Sequence, residues 1–169
     1  MCTACASYPI TGQGGFLFFE EVKLKRGLTM ANRQYEIMER LPTVMEHNAL
    51  WKSVGWGEVD PEMTERSIAG SMHGVVAVCG EEVIGMGRTV GDGFMYFYIQ
   101  DVAVLPEHQH NGVGQLIVER LLTDIEKRRL SGGIAFVGLF AASGKEVFYE
   151  RFGFKDHSPD MTGMFTVLK

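Results

Sequence analysis

The feature that most constrains this chain is one continuous segment, residues 94–129, in which a strand hands over to a helix through a glycine-bearing turn. Residues 94–105 form a run too apolar for an exposed edge, which predicts a central strand. Pro106 ends it. Over residues 112–129, Val113, Leu116, Ile117, Leu121, Leu122 and Ile125 recur at helical spacing, with Glu119, Asp124, Lys127 and Arg128 on the wet side. The first N–H groups of a helix have no partner inside it, and the dipole places about half a positive charge there. Gly112 and Gly114 remove the Cβ atoms that would hold an anion away, so the turn suits a phosphate or pyrophosphate.

Composition sharpens that point. The chain carries 16 basic and 21 acidic residues, a net charge of -5. That is the wrong balance for a nucleic-acid binder that lives on phosphate contacts. An anionic ligand must then be held by backbone rather than by a basic patch. No apolar run approaches the roughly 18 residues of a membrane span. Three cysteines are too few for a disulfide framework, so a reducing cytoplasm is the expected compartment. Cys2 and Cys5 have a metal-like spacing but lack a second Cys/His pair, and Cys79 reads as a small buried hydrophobe. No metal is expected.

The rest of the chain divides in two. Residues 1–30 are small, polar and glycine-rich, with an apolar patch at 16–20 and a basic stretch at 23–27, and they predict a poorly packed leader. Met30 directly precedes the first strand-like run, which makes it an alternative natural start. Residues 31–169 read as one domain. Strands are expected near 34–38, 74–79, 83–90, 94–105, 134–140 and 164–168, and helices over 43–53, 61–72, 112–129 and 145–152. Asp60 and Pro61 supply a cap and a first helical residue for the second helix. The order is α/β, an antiparallel meander followed by β-α-β.

Three phosphate motifs compete at the turn. A P-loop needs Lys and Ser or Thr after its glycine, and Gln115 and Leu116 stand there instead. A dinucleotide fingerprint needs a third small residue where Ile117 stands. What survives is Gln-x-x-Gly-x-Gly at Gln109, Gly112 and Gly114, in the context Val102-x-Val104-x-Pro106-Glu107-x-Gln109. It resembles motif A of the GNAT superfamily of acetyl-CoA-dependent N-acetyltransferases. Residues 147–154, Val-Phe-Tyr-Glu-Arg-Phe-Gly-Phe, are similar to the Phe-Tyr-x-x-Phe-Gly-Phe segment near the end of that fold. The resemblance covers roughly residues 33–169 and points to a small bacterial-type member.

The resemblance implies a mostly antiparallel sheet of six to seven strands with about four flanking helices, splayed between the fourth and fifth strands. Coenzyme A would enter that gap, pairing with Val102, Ala103 and Val104. Its pyrophosphate would rest on the amides of Gln109, His110, Asn111, Gly112, Val113 and Gly114, with Gln115 next in line. His108 and His110 would face solvent or phosphate. Acetyl would pass from acetyl-CoA to a primary amine, small-molecule or protein-borne, by direct attack in a ternary complex. Tyr149 matches the family's tyrosine and would protonate the leaving thiolate, with Lys145 one turn earlier biasing its titration. Many members carry an asparagine seven residues before that tyrosine; Ala142 stands there, which removes side-chain help for the pantetheine. Asp101 is a candidate base, and Trp56, Glu58, Tyr98 and Gln100 are candidates for the acceptor side. The alternatives are a catalytically silent acyl-CoA sensor and a protein-lysine acetyltransferase. A homodimer is common for this fold.

Overall fold

The computed structural model describes residues 34–168. The expectations for residues 1–30, including the leader and the start at Met30, lie outside the described residues. A five-stranded sheet in the order β1-β2-β3-β4-β5 runs through Tyr35–Met38, His73–Cys79, Glu82–Gly91, Tyr96–Val104 and Phe136–Gly138. The first three pairings are antiparallel and β4 pairs with β5 in parallel. The described α-helices are α1 (Val44–Ser53), α2 (Pro61–Ala69), α3 (Val113–Arg128) and α4 (Glu146–Glu150).

Local chemistry sets the boundaries. Thr43 caps α1 in a reciprocal box with Glu46, and Arg40 grips the same Glu46 carboxylate at 2.7 and 2.8 Å. Asp60 caps α2 by accepting from the Met63 amide, and Pro61 occupies the first turn. Between β3 and β4, one oxygen of Asp92 accepts the amides of Phe94, Met95 and Tyr96, each at 2.9 Å.

The two faces of the sheet carry different cores. On one, Ile117, Leu121 and Ile125 of α3 pack with Val75, Ala77, Ile84, Phe97 and Ile99. The approach is close. A Cβ added at Gly87 would stand 2.7 Å from Ile117, so glycine in β3 lets the helix settle onto the strands. On the other face Leu50 of α1 packs with Val76, Met86 and Ala103.

The expected sixth strand does not form, and among the described residues the sheet has five strands rather than six or seven. Residues 164–168 read as a strand by composition but adopt no regular structure. A strand needs a partner edge, with backbones about 4.8 Å apart. The last described strand, β5, offers only three residues, and the Phe140 ring packs on Gly163 and against Phe165. Side-chain contact there takes the place of a ladder.

Candidate active site

β4 changes character along its length. Phe97 and Tyr98 are held on both sides, by Gly91 and Val90 of β3 and by Val137 and Gly138 of β5, and Tyr96 pairs with Phe136. Beyond Tyr98 the two parallel strands part, and residues 99–104 keep β3 as their only strand neighbour among the described residues. Pairing between the fourth and fifth strands therefore ends at Tyr98, where the splay is expected. Val102, Ala103 and Val104 lie on the side-exposed stretch. The Val102 and Val104 side chains belong to the α3 core and Ala103 to the α1 core, so what they offer a ligand is backbone.

At the end of β4 the chain turns through a short 3-10 segment, Pro106–His108. The Gln109 amide N–H is satisfied by Pro106 O, and its side-chain Nε2 donates to Val104 O at 2.9 Å. Gln109 therefore ties the turn to the strand and does not join a cradle of free amides. His108 turns inward, contrary to expectation. It is buried edge-on to Tyr35, with Nδ1 3.4 Å from the phenol oxygen. His110 is exposed at φ 62.

Gly112 is the N-cap of α3 at φ 79, with no side-chain cap, and the first helical bond runs from Leu116 N to Gly112 O. The main-chain N–H groups of His110, Asn111, Gly112, Val113, Gly114 and Gln115 have no acceptor among the described residues. Six adjacent unpaired donors at a helix mouth have the geometry that suits an anion. The side chains there point elsewhere: Asn111 donates to Gln109 O, Val113 is core, and Gln115 donates to Glu119.

Alpha-helix α4 stands beside this mouth because Phe148 packs on Gly114, 3.5 Å from where a Cβ would be. Tyr149 follows, packed edge-on to Phe148 and Phe154. Burial raises its phenol above the usual tyrosine range. Lys145, exposed at the N-cap of α4, is not among the causes of that shift, so the expected lysine bias is replaced by desolvation.

On the opposite face of β4, Asp101 Oδ2 accepts from His47 Nε2 at 3.1 Å and from Arg88 Nε, and all three residues are buried. Burial pushes the Asp101 carboxyl up, but the bonds from His47 and Arg88 outweigh it and leave it below the ordinary carboxylate range. A carboxylate so engaged is a poor proton acceptor. Sequence reasoning named Asp101 and missed both partners, although Arg88 and Asp101 are opposite charges inside two apolar strands, and such charges need each other. His47 stacks on Trp51, whose ring packs edge-on to Trp56, and this brings Trp56 into the same cluster. Gln100 lies opposite Arg88 in register. The Tyr98 hydroxyl is buried with no partner among the described residues. Glu58 stands apart, exposed and paired with Lys52 at 2.6 Å, which lowers its carboxyl.

A family model described as the acetyltransferase (GNAT) domain matches residues 70–156, just over half of the chain. The chain belongs to the GNAT acetyltransferase family. A probable acetyltransferase from methicillin-resistant Staphylococcus aureus superposes with a TM-score of 0.74 at 29% identity, covering 80% of this chain and 100% of that one. A GNAT-family acetyltransferase from Streptococcus pneumoniae gives 0.69 at 28% identity, over 80% and 99%. A histone acetyltransferase of Glycine max is 29% identical over 133 residues, 72% of this chain and 56% of that protein. The chain spans about half or less of the length of the curated relatives it matches. GNAT enzymes use acetyl-CoA as cosubstrate and act on amine acceptors. The residues of this chain fit that ligand: a run of free amides for the diphosphate lies beside an unpaired strand edge for the arm. No group of His, Cys, Asp and Glu among the described residues is arranged to hold a metal ion.

Proposed function

We propose that this GNAT protein transfers acetyl from acetyl-CoA to a primary amine by direct attack in a ternary complex. The observation that carries the reading is the run of six unpaired main-chain donors at residues 110–115, set next to the open edge of β4. Acetyl-CoA bound there supplies an activated acyl carbon. The cradle holds the diphosphate without net positive charge, which suits an acidic chain. The main-chain edge of Val102, Ala103 and Val104 orients the pantetheine arm and offers a donor to the thioester oxygen. The carbon–nitrogen bond forms as the carbon–sulfur bond breaks, and Tyr149 gives its proton to the departing sulfur. Burial raises the Tyr149 phenol, so it is protonated at neutral pH and can donate as the carbon–sulfur bond breaks, regaining its proton from solvent. The attacking amine gives its proton to water, because Asp101 is held by Arg88 and His47.

Release of coenzyme A thiol with a panel of amines tests the reading, alongside calorimetric titration with coenzyme A. Heat and amine-dependent thiol release support it. Heat with no turnover on any amine or lysine peptide would make the protein an acyl-CoA sensor, and no heat at all would end the reading. A lysine peptide belongs in the panel because the Glycine max relative is a histone acetyltransferase.

A further inference from the structure

The register of β4 shifts by one residue between Met86 and Arg88 of β3: Arg88 faces Gln100, but Met86 faces Ala103. Two residues, Asp101 and Val102, therefore stand opposite Gly87, which makes a β-bulge, and Asp101 has a left-handed φ of 54. A one-residue slip reverses which face each side chain takes. Before the bulge, Phe97 and Ile99 point into the α3 core; after it, Val102 and Val104 do, and Ala103 points to α1. Without the bulge, Asp101 would follow Ile99 into the apolar α3 core, and Val104 would leave it. With it, the carboxylate swings to the α1 face and meets Arg88 and His47.

The partners are themselves anchored. Arg88 Nη1 donates to Ser71 Oγ at 3.0 Å and to Ser67 O at 3.3 Å, at the end of α2. His47 Nδ1 lies 3.3 Å from Asn48 Oδ1, which accepts from Thr64 of α2 at 2.9 Å. One buried carboxylate thus joins β3, β4, α1 and α2.

We propose that Arg88, Asp101 and His47 are positioning residues that latch the β4 bulge and thereby set how the Val102–Ala103–Val104 edge presents to the gap between β4 and β5. The functional half of this inference rests on the acyl-transfer reading above; the structural half does not. The latch lies on the α1 face of β4, whereas the helix mouth is seated by Val113, Ile117 and Leu121 in the α3 core and meets the edge through the single Gln109 bond to Val104 O. Loosening it should therefore misplace the acyl group and leave the diphosphate bound. A misplacement of about 1 Å costs on the order of 10²-fold in rate.

The test uses Asp101→Asn, which keeps a residue tolerant of left-handed φ and removes the charge. Hydrogen exchange over the segment 99–105 should accelerate at least about tenfold relative to β2, the mark of a locally opened unit. Thiol release should fall on the order of 10²-fold in kcat, with a much smaller loss of coenzyme A affinity by calorimetry. Asp101→Asn with Arg88→Met then removes the stranded cation as well. The double variant should recover thermal stability but not kcat, because an apolar replacement repairs the buried charge and not the latch. Recovery of kcat together with stability would make the cluster a plain stabilising contact and overturn the inference, as would unchanged exchange over 99–105. If wild-type protein binds no coenzyme A, the acyl-transfer reading fails alone, and exchange still decides whether the latch exists.

Discussion

The body of α3 and its mouth follow opposite rules. Along the body, Ile117, Val118 and Leu121 are fully buried, and Ile125 is nearly so. Ile117, Leu121 and Ile125 pack directly on side chains of the sheet. At the mouth, a left-handed Gly112 replaces a side-chain cap and six amides have no acceptor among the described residues. A side-chain cap is worth about 1 kcal/mol, and α3 does without one. The packed body supplies the stability that lets the mouth remain unsatisfied. β4 repeats the contrast, zipped on both sides at Phe97 and Tyr98 and, among the described residues, open on one side beyond.

Variants should separate the two regimes. Tyr149→Phe, beside the mouth, is expected to lower kcat by roughly 10²–10⁴, the range for losing a general acid. Coenzyme A affinity and the denaturation midpoint should stay put. Turnover equal to wild type would remove Tyr149 from the chemistry. Because burial raises its phenol, no alkaline loss of rate from this group is expected below pH about 10, which a pH–rate profile checks.

Leu121→Ala, in the body, should do the reverse. A fully buried leucine cut to alanine costs about 2–5 kcal/mol, read by urea unfolding, while kcat per folded molecule stays near wild type. A fall in kcat at full folding would show that body and mouth are coupled. Gly112→Ala sits at the boundary. Left-handed backbone costs a non-glycine residue about 1–2 kcal/mol, so a modest loss of stability should accompany weaker coenzyme A binding. Loss of stability alone would mean that the Gly112 conformation does not shape the cradle.

The same division explains how far the chain could be read without coordinates. α3 was legible end to end because its period is local and its apolar positions repeat. The glycine turn was legible because an αL position and a close ligand approach both select glycine, and Gly112 has the φ that this requires. The family resemblance supplied Tyr149 and the splayed strands. What stayed hidden was long-range. His108 sits in the turn yet faces Tyr35, 73 positions away, and its neighbours in sequence carry no sign of that. Residues 164–168 have strand composition, but strand formation depends on an edge supplied elsewhere. Asp101 was visible as a charge in an apolar run and was read as a base; its partner His47 comes from a helix 54 positions earlier. The bulge that turns it toward that helix is a register event, which no local pattern encodes.

Two carboxylates set the last contrast, since both are held below their ordinary range for different reasons. Asp101 is buried and engaged by His47 and Arg88; Glu58 is exposed and engaged by Lys52 alone. A carboxyl depressed in the folded state stabilises the fold at pH above its unfolded value, and that contribution is lost as pH falls through the depressed folded value. For Asp101 the loss should begin below pH about 4, as a stability limb in acid titration that Asp101→Asn abolishes. Glu58→Gln should leave both the acid limb and the midpoint unchanged, because an exposed pair gains little Coulomb energy in water and gives up side-chain freedom to form. A Glu58→Gln variant that unfolded earlier in acid would mean that Glu58 is held more firmly than its exposed pair with Lys52 implies, and the line drawn here between buried and exposed carboxylates would have to move.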